Sequence, residues 1–173
     1  MSRAFVKDSD DDLTAGELPE RPLSARPNYV TAQGLGRLQA RVRELSEHHE
    51  RLKGRAEEDS AAKQKLREVE RDQRYFNVQL ERAIVVYPAG QPHDEVRFGA
   101  ALTVRDEDGR THHFNIVGDD EADAAAGKIS WATPVARAMI GARVGDVVTW
   151  RRPAGNADVE IVEIRYPGQE RQR

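Results

Sequence analysis

The sequence predicts an α+β fold. An antiparallel coiled-coil hairpin spans residues 31–84, and an antiparallel β-sheet domain with one short helix spans residues 85–173. Three observations predict it. Residues 31–84 contain no proline and repeat apolar residues every three or four positions. Residues 85–173 hold most of the glycines and the β-branched runs. Charged residues make up 33% against 38% hydrophobic and 6% aromatic, which is lean for one large core and suits a charged helical rod beside a small domain.

Each helix of the hairpin is read from its period. Leu35, Leu38, Val42, Leu45, His49 and Leu52 follow a 3-4 spacing. So do Leu66, Val69, Gln73, Phe76, Leu80 and Ala83. These are the a and d positions of two coiled-coil helices. Thr31 suits the N-cap of the first. Pairing Leu35 with Ala83 and Leu52 with Leu66 places the fold-back at residue 59; a one-heptad slip is the alternative register. The seam is narrow and its flanks are densely charged, as expected of a projecting rod rather than a helix pair laid on a globular body. His49 and Gln73 interrupt it with polar groups that fix register.

The fold-back carries Glu57, Glu58 and Asp59 in succession. Two readings fit. Acids are common in solvated turns and suit the first turn of a following helix. Carboxylates on the end of a rod can also help hold a divalent cation or orient a water for attack on a phosphodiester. Spacing does not choose between them. The second helix also carries Lys63, Arg67, Arg71 and Arg74. These read either as a solvated face with local ion pairs or as a contact for RNA.

The sheet domain follows. Residues 96–105 and 111–118 read as strands joined by a turn at Asp106-Glu107-Asp108-Gly109. Lys128–Trp131 is a short strand. Thr133 caps a helix that begins at Pro134 and stops at Gly141. Residues 146–152 and 159–166 complete the sheet, with a turn at 153–156. Residues 1–30, with six acids, four bases and three prolines, read as a flexible tail.

Composition excludes several classes. There is no cysteine, so disulfides and thiol chemistry are absent. The five histidines lack metal-ligand spacing; His112 and His113 alternate across a strand, and His48 and His49 are adjacent on a helix. No apolar run approaches the length of a bilayer span, and the N-terminus lacks a signal-peptide core. A cytoplasmic protein without membrane contact is expected. A net charge of −3 argues against holding duplex nucleic acid by bulk charge.

A longer pattern runs through the sheet domain: Ile116-Val117-Gly118-Asp119-Asp120-Glu121-Ala122-Asp123, Gly127-Lys128-Ile129-Ser130, Thr133-Pro134-Val135-Ala136-Arg137-Ala138-Met139-Ile140-Gly141 and Val144-Gly145-Asp146-Val147-Val148. It resembles the C-terminal domain of the bacterial GreA/GreB transcript-cleavage factors. Asn28-Tyr29-Val30-Thr31 with Gly34 and Leu38 resembles the start of their first helix, and Leu66-Arg67-Glu68-Val69-Glu70 with Arg74-Tyr75 resembles their second. The resemblance covers about residues 28–166. It implies a coiled coil followed by an FKBP-like domain that docks on bacterial RNA polymerase at the secondary channel. In that picture Asp119, Asp120, Glu121, Asp123, Ser130, Trp131, Thr133, Pro134 and Arg137 contact the polymerase. Lys63, Arg67, Arg71 and Arg74 contact RNA or the polymerase inside the channel, and the nascent RNA 3′ end is met indirectly. Tip acids help the polymerase hold its own magnesium ion and hydrolyse backtracked RNA. The factor itself is then no enzyme, needs no cofactor of its own and acts as a monomer.

The tip departs from the family pattern. Family tips run Gly-Asp-x-Ser-Glu-Asn-Ala, whereas this chain reads Gly54-Arg55-Ala56-Glu57-Glu58-Asp59-Ser60-Ala61-Ala62, with no Asp after Gly54. Glu57 takes the family Glu position, or the three acids together supply both carboxylates. A regulator that occupies the channel without cleaving is the alternative. A coiled-coil adaptor that dimerises through its hairpin is a third reading, separable by sedimentation.

Overall fold

The computed structural model describes residues 18–168. Residues 1–17, the larger part of the expected tail, lie outside the described residues, as do 169–173.

Strand β1 (Asn28–Val30) leads into helix α1 (Ala32–Lys53). Helix α2 (Ser60–Glu81) returns antiparallel, and β2 (Ala83–Val85) pairs in parallel with β1. The cap expected at Thr31 is present, since its hydroxyl accepts from the Gly34 amide at 2.9 Å. Leu45 and Leu52 of α1 are buried against Ala62 and Val69 of α2, with Leu66 and Phe76 at the margins, and Leu38 of α1 is buried as well. Gln73 Nε2 lies 3.5 Å from Ser46 Oγ, and His49 Nε2 lies 3.3 Å from Glu70 Oε1. These contacts sit within one residue of the Leu45–Gln73 and His49–Val69 pairs that the heptads require. Ala83 is a correction: it belongs to β2 rather than to the helical seam.

The tail reading also changes. Residues 28–30 form β1, and residues 20–26 lie along α2 through side-chain and backbone contacts. Composition alone missed this because the holding groups belong to α2, more than 50 residues away in sequence.

The second domain is a five-stranded sheet. Its strands are β3 (Ala101–Asp106), β4 (Thr111–Val117), β5 (Lys128–Ser130), β6 (Val147–Trp150) and β7 (Ala157–Arg165), in the order β5-β4-β3-β7-β6. Pairing is antiparallel except for the parallel β4–β5 pair. The first strand is shorter than the sequence suggested. Residues 96–100 stay buried at Val96 and Ala100 but turn at Gly99 instead of extending. Helix α3 (Pro134–Met139) seats Ala136 and Met139 on the sheet, with Leu102, Val104, Ile116, Val159 and Ile161, all nearly or wholly inaccessible. Most of the chain's apolar burial is therefore in this domain, and the hairpin carries a thin seam. No helix among the described residues is long and apolar enough to cross a membrane.

Candidate functional site

The tip is built by a helix that ends late. After α1, the amides of Arg55 and Ala56 both donate to Leu52 O at 2.9 and 3.0 Å, and Asp59 N donates to Arg55 O at 3.1 Å. The chain thus stays coiled through residue 58. Asp59 is the extended residue that opens α2, at φ −126° and ψ 111°. Its Oδ1 accepts from Ala61 N at 2.9 Å, and its carboxylate lies 3.8 Å from the Arg55 guanidinium. An N-cap of this kind contributes about 1 kcal/mol. Glu57 and Glu58 are exposed on the turn. The three acids therefore divide: Asp59 caps a helix, and Glu57 and Glu58 face solvent. Among the described residues no group of three acidic or histidine side chains converges on a metal position. By themselves the tip acids would make only a partial donor set for a magnesium ion.

The basic face of α2 is partly neutralised within the chain. Lys63 and Arg67 are exposed. Arg71 lies 3.1 Å from Asp72. Arg74 donates through both Nε and Nη2 to Glu20, which holds the Glu20 carboxyl below its ordinary value and the Arg74 guanidinium above its own. The neighbouring Arg21 guanidinium lies 3.9 Å from the centre of the Tyr75 ring and 3.6 Å from Asp72. Arg82 donates to the backbone oxygens of Ser24 and Arg26 at 2.8 and 3.0 Å. Glu20 and Arg74 are both largely exposed, so solvent screens their ion pair.

The acids of the sheet domain lie at the base of the rod. The chain after Gly118 forms a single 3₁₀ turn, Asp119–Glu121. Glu121 is buried, 8% exposed. Its Oε2 accepts from Thr31 N at 2.9 Å and Gly118 N at 3.2 Å, and its Oε1 accepts from the Thr31 hydroxyl. Gly34 makes room for it, since a Cβ there would stand 2.2 Å from Glu121 Cδ. A Cβ on Gly118 would stand 2.4 Å from Tyr29 O. Asp120 accepts from Gln79 Nε2 at 2.6 Å and from the Tyr75 hydroxyl at 3.0 Å. Burial, with the Asp120 charge beside it, pushes the Tyr75 hydroxyl up to about 12. Asn28 Nδ2 donates to Gln79 O at 2.8 Å. A cleft of about 260 Å³ opens beside this joint, lined in part by Arg37, Arg41, Phe76 and Asp120.

The residues expected on a docking surface therefore separate. Pro134 and Arg137 are exposed on α3. Thr133 is spent capping that helix, accepting from Ala136 N at 3.4 Å. Asp123 accepts from the amides of Ala125 and Ala126. Ser130 is buried, donates to Asp119 and accepts from Ala132 N at 3.1 Å. Trp131 packs edge-on against Tyr29 at 5.1 Å, and its buried Nε1 has no hydrogen-bond partner among the described residues. Glu121 and Ser130 are corrections to the expected surface: both are buried, and their polar atoms are taken up inside the chain. The sequence reading named Asn28 and Tyr75 only as carriers of the resemblance, with no role at this joint, and did not name Gln79. Tyr75 and Gln79 are four residues apart on the α2 flank, off the heptad seam, which was the available signal.

A rod tipped with carboxylates and clamped at its base to a small curled sheet defines the class, a two-domain factor that carries charge at a distance from its anchor. The comparisons supply the family. Residues 91–166 match the family described as "Transcription elongation factor, GreA/GreB, C-term". Transcription elongation factor GreB of Neisseria meningitidis is 42% identical over 105 residues, covering 60% of this chain and 64% of that protein. Transcription elongation factor GreA of Thioalkalivibrio sulfidiphilus is 34% identical over 151 residues, covering 87% of this chain and 89% of that protein. The solved GreA/GreB structure from Nitrosomonas europaea covers 80% of this chain and 99% of its own, at 25% identity and a TM-score of 0.41. The chain belongs to the GreA/GreB family.

Proposed function

We propose that this chain is a transcription elongation factor that binds RNA polymerase at its secondary channel and promotes cleavage of backtracked RNA. The observation that carries the reading is the exposed Glu57–Glu58 pair at the end of a 22-residue helical arm. At 1.5 Å per residue the arm is about 33 Å long, enough to deliver a carboxylate well inside a partner. The polymerase's magnesium supplies the Lewis acid for hydrolysis. This chain's part is to add carboxylate oxygen to that ion's shell or to orient the attacking water. Pro134 and Arg137 are the exposed groups of α3 that favour a docking role. Lys63 and Arg67 are exposed cations on the tip-proximal half of α2.

A second reading has its own support. Asp59 is committed as a helix cap, and Arg55 rather than an acid directly follows Gly54. Two working carboxylates then have to come from Glu57 and Glu58 alone. A factor with too few carboxylates would occupy the channel and alter elongation without cleavage. Halted, backtracked elongation complexes decide between them. Release of short 3′ RNA fragments is followed with the full chain and with Glu57→Ala/Glu58→Ala, while polymerase binding is measured in parallel. Stimulated cleavage lost in the variant with binding retained supports the first reading. Binding without cleavage by the unaltered chain supports the second.

A further inference from the structure

Two adjacent residues of the N-terminal segment occupy α2 in a particular way. The Glu20 carboxylate sits on Arg74, and the planar Arg21 guanidinium lies over the Tyr75 ring at 3.9 Å. An anion on an arginine beside a flat group on an aromatic face is the pattern that a nucleotide's phosphate and base would make. The platform is preorganised. The Tyr75 hydroxyl is held by Asp120, and Phe76 packs edge-on against the Tyr75 ring at 5.1 Å. The occupants are loosely held. The Glu20 and Arg74 side chains are 61% and 58% exposed. Farther along, the segment is tied through its backbone to Arg82.

We propose that residues 20–26 form a displaceable strap that occupies, within the chain, a nucleotide-sized RNA site made by Arg74 and the Tyr75 ring. Single-stranded RNA reaches that site when Glu20 and Arg21 lift away. The strap thereby lowers the affinity of the free factor for RNA. The inference rests on the reading of the α2 basic face as RNA-facing. Its assay uses no polymerase, so a failure of cleavage in elongation complexes leaves the strap result standing.

The test uses the full chain and a labelled single-stranded RNA oligonucleotide followed by fluorescence anisotropy. Glu20→Gln/Arg21→Ala releases the strap and leaves net charge unchanged, so a gain cannot come from bulk electrostatics. If the strap is closed in about four molecules in five, release tightens RNA binding about fivefold. Amide hydrogen exchange over residues 20–26 should quicken in the same variant. Adding Arg74→Ala should remove the gain. Unchanged exchange overturns the proposal, as does faster exchange with unchanged RNA affinity. A gain that survives Arg74→Ala overturns it too.

Discussion

The tip and the base of the hairpin each present three consecutive acids, and the chain uses them in opposite ways. Glu57 and Glu58 are exposed, and Asp59 accepts from one backbone amide at the start of α2. Asp119, Asp120 and Glu121 are all hydrogen-bonded within the chain, with Glu121 buried. What differs is the surroundings. Among the described residues the tip turn is hydrogen-bonded only to its own helix ends. The base turn is pressed between β1, the start of α1 and one flank of α2, where donors converge. A run of acids therefore becomes a joint where side-chain and backbone donors from several elements reach it, and stays largely exposed where only its own helix ends are near. Substitutions should separate the two regions on one stability scale.

The largest loss is expected at Glu121. Glu121→Ala leaves a part-buried amide at Thr31 and a buried one at Gly118 without their acceptor, and should cost about 3 kcal/mol in chemical denaturation. Gly34→Ala should cost a similar amount by displacing the same carboxylate. Because both act on one contact, the double variant should fall well short of the sum. Additive losses would show that Gly34 and Glu121 stabilise the joint independently.

Tyr75→Phe should have a smaller effect, about 1 kcal/mol, from loss of the hydroxyl bond to Asp120. It carries a pH signature. The Tyr75 hydroxyl is pushed up to about 12, above the ordinary value of 10, so the folded chain keeps its proton where the unfolded chain loses it. That stabilisation is complete below pH 10 and fades as pH rises from 10 through about 12. Stability profiles of the unaltered chain and Tyr75→Phe should converge across that window. Parallel profiles would detach the hydroxyl from the joint.

The contrast also explains what the sequence made legible. The heptads carried the hairpin and its register because a coiled coil is read from local spacing, and the fold-back fell on Asp59, the residue that breaks the helix. The α3 cap at Thr133 and the turn at 106–109 were legible for the same reason. Glu121 was not. Its role depends on Thr31, 90 residues earlier, and on Gly34 leaving space for it. The segment at 20–26 was missed likewise, because a Pro-rich and charged composition reports that a stretch cannot fold alone, not what it can lie upon. At the tip the residues were legible but their division of labour was not. Only the backbone geometry sets Asp59 apart as a cap.

That division gives the smallest expected effects and the sharpest use of them. Asp59→Ala should cost about 1 kcal/mol through the lost cap, whereas Asp59→Asn keeps an acceptor for Ala61 N and should cost a few tenths. Glu57→Gln/Glu58→Gln should stay within about 0.5 kcal/mol of the unaltered chain, as exposed substitutions do. Any loss of transcript cleavage in that variant is then chemical and not structural. Asp59→Asn completes the argument, because it removes a charge while keeping the cap. Cleavage retained in Asp59→Asn and lost in Glu57→Gln/Glu58→Gln assigns the chemistry to the two exposed acids. Cleavage lost in Asp59→Asn with the melting temperature unchanged would mean that the capping carboxylate also reaches the reacting centre, and that the tip works with all three.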